Sequence, residues 1–263
     1  MNLFEAVVLG LIQGLTEFLP VSSSGHLELG KYLFGLDHES NFYFSIAVHG
    51  ATLLSTFLVL WKEIAGLIKG FFRFTMNEET RYVIKLIISM IPVAIAGLFM
   101  NDIVENFFAG NMFTLGIEFL VTALLLFLTM VIKPREREMT YFDSFIIGIA
   151  QALAVLPGIS RSGATIATGM MLGNRKSEIA KFSFLMVLVP IMGANFLELR
   201  SGDFTREGTS LTVIAAGFIT AFVSGYIACR WMISLVSKGN LLWFAFYVIL
   251  AAIFSFLLGF NVI

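Results

Sequence analysis

Residues 10–35 read GLIQGLTEFLPVSSSGHLELGKYLFG, and residues 148–173 read GIAQALAVLPGISRSGATIATGMMLG. Laid over one another at an offset of 138, without a gap, they share seven identities: Gly10, Gln13, Leu15, Ser22, Ser24, Gly25 and Gly35 match Gly148, Gln151, Leu153, Ser160, Ser162, Gly163 and Gly173. The identities gather where an apolar run is interrupted by Pro, Gly and Ser. The pair Phe44-Ser45 and Phe182-Ser183 continues at the same offset. Self-similarity at a fixed spacing marks a repeat. The chain reads as a single integral membrane domain over 1–263, with repeat one at about 1–110 and repeat two at about 139–250.

Composition supports a membrane setting. Of the 263 residues 58% are hydrophobic and 13% charged, against near 45–50% and about 25% in a soluble domain. The net charge of −1, from 17 basic and 18 acidic residues, supplies no footprint for nucleic acid. One cysteine, Cys229, cannot form an internal disulfide or a zinc site. The first residues, MNLFEAVVLG, lack the basic start of a signal peptide, so the N-terminus is expected to be retained.

Six stretches are long and apolar enough, or nearly so, to cross a bilayer: Phe42 to Trp61, Val83 to Met100, Met112 to Ile132, Phe182 to Leu197, Leu211 to Ala228 and Leu241 to Phe260. Two more, Leu3 to Leu19 and Phe142 to Leu156, break at PVSSSGH and PGISRSGAT and read as re-entrant segments, tolerated at membrane depth only where protein or water satisfies the freed backbone. The expected fold is an all-α polytopic membrane protein with six transmembrane helices and two re-entrant broken helices.

Basic residues stay on the cytoplasmic side. Lys62, Lys69, Arg73, Arg81 and Lys85 place the loop from Trp61 to Leu86 there, as do Lys133, Arg135 and Arg137 for theirs and Arg175, Lys176 and Lys181 for theirs. The loop Asn101 to Asn111 has no Lys or Arg and is expected outside, with Arg200 to Ser210, which holds Arg200 and Arg206, outside as well. Arg230 to Asn240 then lies inside, and Cys229 at the cytoplasmic end of its span. Each half has one re-entrant segment and three crossings, so the second is inverted. Inverted repeats with paired broken helices place a site at their interface.

Within the matched motif Glu17, Ser23 and His26 stand opposite Val155, Arg161 and Ala164. One copy keeps an acid, a hydroxyl and an imidazole, and the other a guanidinium; a pseudo-two-fold axis would gather them in one cavity suited to phosphate chemistry. Arg161 binds phosphate oxygens bidentately. Ser22, Ser24, Gly25, Ser160, Ser162, Gly163 and Thr165 can cap helix starts and leave N–H groups free for phosphate, although alone such residues are more often caps and packing positions. Gln13 and Glu17, four apart, share a helix face, and Glu17 can position a divalent cation, Mg or Ca, completed by substrate phosphates, or assist His26 in proton transfer. Ser23 and His26, three apart, suit a hydroxyl activated by an imidazole. His38 reads as a loop residue and His49 as structural, while Glu118, Lys85 and Asn195 read as interhelical or interfacial polar groups.

At QGLTEFLPVSSSGH and PGISRSGAT the sequence resembles the undecaprenyl-diphosphate phosphatases of bacteria, the bacitracin-resistance type, over essentially the whole chain. The resemblance implies an integral inner-membrane enzyme that hydrolyses undecaprenyl diphosphate to undecaprenyl phosphate and inorganic phosphate, recycling the carrier for peptidoglycan and conferring bacitracin resistance. It implies a site open to the outer side, with Glu17, Ser23, His26 and Arg161 as catalytic residues. Gln13 stands at the motif's first acidic position, where relatives have Glu or Gln, and leaves a metal there one carboxylate fewer. The nucleophile stays open among Ser23, His26 and water. The partners implied are the polyprenyl diphosphate substrate and membrane lipids, with a homodimer left open. The alternative is a polyprenyl-phosphate flippase or transporter built on the same repeat.

Overall fold

In a computed structural model, residues 1–36, 42–99, 111–132, 135–156, 158–201, 210–238 and 241–260 are described, without the side chains of 42, 98, 99, 194 and 197–201. His38, Arg206, Lys133 and the side chain of Arg200, each used in the sequence reading, fall outside this description. Eleven helices and no strand occur among the described residues. They are α1 Leu3–Phe18, α2 Ser23–Leu33, α3 Phe42–Val59, α4 Trp61–Phe71, α5 Glu78–Phe99, α6 Met112–Val131, α7 Tyr141–Leu153, α8 Arg161–Met171, α9 Lys176–Ser201, α10 Leu211–Lys238 and α11 Leu242–Gly259.

Four of them, α5, α6, α10 and α11, are long and apolar enough to cross a membrane, and a fifth span results if α3 and α4, bent by 72°, count as one. Phe182 to Leu197 lies inside α9. The outward faces are apolar: Phe246, Leu250 and Ile253 of α11 and Leu120, Leu124 and Phe127 of α6 are all exposed. Patches this large are compatible with lipid, not water. The stretch from Trp61 to Leu86, expected as a loop, is largely helical instead. It holds α4, where Ile64 and Leu67 pack on the core while Lys62 and Lys69 stay exposed, and the start of α5. An eleven-residue amphipathic segment is too short to register as a span and too basic to read as one.

α1 and α7 each open with a capping box, Asn2 with Glu5 and Thr140 with Asp143, at positions 138 apart. In such a box the cap side chain takes an orphan N–H of the first turn while the acid returns a bond to the cap amide. α2 and α8 start and end 138 apart, are capped by Ser22 and Ser160, and are followed by Gly35 and Gly173, both at positive φ. α1 folds back on α2, and α7 on α8. With 16 and 13 residues, α1 and α7 are too short to span.

Glycine sets how closely α1 approaches α10. A Cβ on Gly10 would sit 2.5 Å from the Gly217 carbonyl oxygen, and one on Gly14 would collide with Ser224 Oγ and lie 2.5 Å from the Ala221 carbonyl oxygen. Small residues four apart on both helices allow backbones to meet where no hydrophobic effect drives association. Across the molecule Gly148 of α7 meets Ser89 of α5 in the same manner. The linker before α7 is fastened by Arg137, whose Nη1 and Nη2 donate to Asp143 Oδ2 and Oδ1 at 2.6 and 2.7 Å, and whose backbone bridges to Asn174 beyond α8.

Gly14→Ala is expected to lower stability by about 1–3 kcal/mol, since backbone must yield to the added methyl, read as a fall in Tm of the detergent-purified protein. Asp143 is buried, which pushes its carboxyl up, but the bonds from Arg137 and Thr140 outweigh this and hold it below the usual carboxylate range. A carboxyl lowered in the folded state stabilises at neutral pH and ceases to do so as pH falls through its titration. Arg137→Ala should therefore cost about 2–3 kcal/mol at pH 7, with the gap to wild type closing below about pH 4.

Candidate active site

α2 and α8 begin beside the end of α1, and that placement assembles the site. Glu17, one residue from the end of α1, is buried with its side chain 9% exposed. Its Oε1 accepts from Arg161 Nη2 at 3.0 Å, and its Oε2 accepts from Ser23 Oγ at 2.6 Å and from Gln13 Nε2 at 2.9 Å. The acid and hydroxyl of the first motif are thus joined to the guanidinium of the second, from positions 144 residues apart. A buried carboxylate in apolar surroundings has to be paired, and here every partner comes from a motif residue or its helix neighbour.

His26 stands apart from this cluster. Its Nδ1 is 2.8 Å from the Ser22 carbonyl oxygen, which only accepts, so Nδ1 carries the proton. Nε2 then accepts from the Tyr247 hydroxyl at 2.9 Å. The two rings stack at 5.5 Å, with Phe119 edge-on at 5.1 Å. Ser23 and His26 do not hydrogen-bond to each other: the hydroxyl is turned to Glu17, and both ring nitrogens are engaged elsewhere. Tyr247, on α11, was not singled out in the sequence, and the only signal was a polar-tipped aromatic inside an apolar span.

The small residues divide by role. Ser22 and Ser160 are caps, accepting from the N–H of Gly25 and Gly163 at 3.2 and 3.0 Å. Ser22 does so at a φ of 72°, which a serine rarely adopts. Ser24 and Ser162 stitch the two breaks together: Gly158 N–H donates to Ser24 Oγ at 3.2 Å, and Ser162 Oγ donates to the Leu19 carbonyl at 3.0 Å. Thr165 Oγ1 donates to the Arg161 carbonyl at 2.8 Å and pairs with Ser183. First-turn amides of a helix have no partner in their own helix, and those of Ser23, Ser24, Arg161 and Ser162 donate to no group among the described residues. They are suited to an anion.

A cleft with an empty volume of about 430 Å³, its open mouth included, borders Glu17 and Arg161 and is further lined by Gln151, Ser162, Thr165 and Ser183 amid Phe, Leu and Ile side chains. His49, expected to be structural, lies within electrostatic range of both Glu17 and Arg161, with Nδ1 donating to the Ser45 carbonyl at 2.8 Å. Glu118 presses on Gly158, where any Cβ would collide with its carboxylate, and its Oε1 has no partner among the described residues. Thr122, one turn on, accepts from Ser160 N–H at 3.0 Å. α6 therefore braces the second break. Lys85 lies 5.8 Å from the Tyr141 ring centre, and Asn195 is the nearest atom to a Cβ on Gly50, at 4.0 Å.

No group of three or more His, Cys, Asp or Glu that could hold a metal exists among the described residues. Gln13 Oε1, however, is buried beside Glu17 without a partner among the described residues. These two residues fit a hard ion that takes most of its shell from substrate oxygens and water, not a closed protein cage.

The family described as "Bacitracin resistance protein BacA" matches residues 6–254. A protein of Parabacteroides distasonis named "Undecaprenyl-diphosphatase" is 51% identical over 257 residues, covering 96% of this chain and 97% of its own length. Proteins of the same name from Bacteroides fragilis and Carboxydothermus hydrogenoformans are 52% and 40% identical, each covering 94% of both chains. The chain is a multi-pass membrane protein that belongs to the bacitracin resistance protein BacA family.

Proposed function

We propose that this chain hydrolyses undecaprenyl diphosphate to undecaprenyl phosphate and inorganic phosphate. The observation that carries the reading is the Ser23 hydroxyl donating at 2.6 Å to a carboxylate that is itself held by Arg161. A nucleophile bonded to a base that a third group orients is the general arrangement of covalent catalysis. A flippase has no use for it.

In the free protein Glu17 occupies the guanidinium that phosphate would take. Arrival of the diphosphate transfers Arg161 to phosphoryl oxygens, which it grips bidentately, and leaves Glu17 with Ser23. Ser23 Oγ attacks the terminal phosphorus and passes its proton to Glu17. The anhydride P–O bond breaks and undecaprenyl phosphate leaves, while Arg161 and the free amides of Ser23, Ser24 and Ser162 hold the developing charge. Undecaprenyl phosphate takes the proton from Glu17 as it leaves; water then attacks the phosphoserine, Glu17 accepts one of its protons and passes it to the Ser23 oxygen as the P–O bond to serine breaks, and phosphate departs with the other proton. His26, fixed by Ser22 and Tyr247, orients the first turn of α2. A divalent cation, Mg or Ca, held by Gln13 and Glu17 would offset phosphate charge when bound. The polyprenyl tail lies along the exposed apolar helix faces.

The arrangement proposed is that of two inverted repeats, 1–110 and 139–250, in the inner membrane, with the cleft open to the outer side. It is supported by matched capping boxes, matched broken helices and the equivalent glycine contacts of α1 on α10 and α7 on α5.

Detergent-purified protein should release phosphate from undecaprenyl diphosphate, and Arg161→Ala and Glu17→Ala should each lose at least about 100-fold in kcat. Rapid acid quench should trap a phosphoenzyme in wild type and none in Ser23→Ala, and chelation of divalent ions should slow release. A folded wild type with no release in added Mg or Ca would overturn the reading. For topology, Cys229 is not a usable probe: it is fully buried within α10, which runs on to Lys238. In a Cys229→Ala background, Ser210→Cys should react with an impermeant thiol reagent added to intact cells, and Lys69→Cys only after permeabilisation. The reverse pattern would overturn the orientation.

A further inference from the structure

Among the polar side chains that line the cleft, one has no partner among the described residues. Thr52 and Thr56 donate to the carbonyls of His49 and Thr52. Ser162, Thr165, Ser183, Glu17 and Arg161 have the partners given above. Gln151, in the last turn of α7, is 1% exposed, and neither Oε1 nor Nε2 meets a hydrogen-bonding group among the described residues. Leaving a buried amide unsatisfied costs about 1–3 kcal/mol, and native structures retain few such groups without a reason. A Leu or Met of similar size would fill the place at no such cost. The first repeat's counterpart, Gln13, spends its Nε2 on Glu17, whereas position 155, opposite Glu17, is a valine. Gln151 therefore has no carboxylate four residues on to bind.

We propose that Gln151 is a second phosphate-contacting side chain, its Nε2 donating to a phosphoryl oxygen that Arg161 also holds. This rests on the phosphatase reading of the cleft. The charge of the place admits an anion, since Arg161 is the one cation lining it among the described residues and a phosphate can take the guanidinium that Glu17 holds. An amide suits the task chemically. It offers two N–H donors to phosphate oxygens while Oε1 accepts from a P–OH or water hydrogen, and it adds no charge that would hold the product after the bond is cut. Its position ten residues before Arg161, across the Pro-Gly break, lets one hairpin grip the phosphoryl group from both its helices.

The phosphoryl oxygen belongs either to the lipid diphosphate or to free phosphate, and two readouts separate these: KM for undecaprenyl diphosphate, and competitive inhibition by inorganic phosphate. Gln151→Met should keep or raise Tm in the absence of ligand, because it removes an unsatisfied amide. It should raise KM about tenfold and weaken phosphate inhibition about tenfold, the loss of one good hydrogen bond to a charged group. An effect on KM alone assigns the contact to the lipid diphosphate only. Gln151→Glu, which repels phosphate, should lose more on both readouts. Stabilisation of the protein by inorganic phosphate, followed as a Tm shift, should shrink in both variants whether or not turnover is measured. The proposal is overturned if Gln151→Met matches wild type in KM, phosphate inhibition and phosphate-dependent Tm shift, or if it lowers Tm while leaving those three unchanged. If Gln151→Met does not fold, an undiminished phosphate-dependent shift in Gln151→Glu overturns it. Absence of turnover in wild type would instead overturn the phosphatase reading, and the Tm shifts would still decide whether Gln151 touches phosphate.

Discussion

The ion pair between Glu17 and Arg161 is what the rest of the structure is arranged to permit. An ionised carboxylate inside an apolar assembly is too costly to leave alone, and breaking a buried pair costs more than forming one gains. Glu17 reaches its partner only because α1 stops at Phe18 and α8 starts at Arg161, so that the two breaks face each other. Ser24 and Ser162, which bond across to Gly158 and Leu19, hold them at that separation. A group whose charge is balanced by one guanidinium is also one that phosphate can displace. The same pair thus stabilises the empty protein and keeps the base and the cation ready.

Holding two helix ends together requires a rigid frame, which glycine and small residues supply. Gly10 and Gly14 let α1 lie against α10, and Gly148 lets α7 lie against α5. In lipid the helices gain little by hiding apolar surface, so close backbone contact has to do the work. The outward faces of α6 and α11 remain free to meet lipid. Phe119, buried on the inner face of α6, and Tyr247, half-exposed on α11, both pack onto His26, so the apolar core reaches the site through Phe119.

The two motifs descend into the same local structure and then diverge in use. Both are capped by serine and both are followed by a glycine at positive φ, but Ser22 adopts φ 72° where Ser160 keeps an extended backbone. One copy carries Glu17 and Ser23 and the other Arg161. Gln13 and Gln151, identical in sequence, end in different states: Gln13 bonds the carboxylate four residues on, where Gln151 has Val155.

Much was legible in the order of residues. Composition, the repeat at 138 and the two Pro-Gly-Ser breaks determined an all-helical membrane protein and singled out Glu17, Ser23, His26 and Arg161, because charges are scarce in apolar segments and a repeat exposes its own exceptions. The capping and turn chemistry that starts and ends α2 and α8 is equally local. Other features were decided only by tertiary structure. Ser23 bonds to Glu17 and not to His26, Tyr247 arrives from the last helix, His49 comes within range of the ion pair, Gln151 is left without a partner, and Cys229 is sealed inside α10. Each of these depends on which helices lie side by side and on how a side chain turns once they do. Sequence spacing encodes periodicity along one helix, but it is silent about contacts between residues 144 or 221 positions apart.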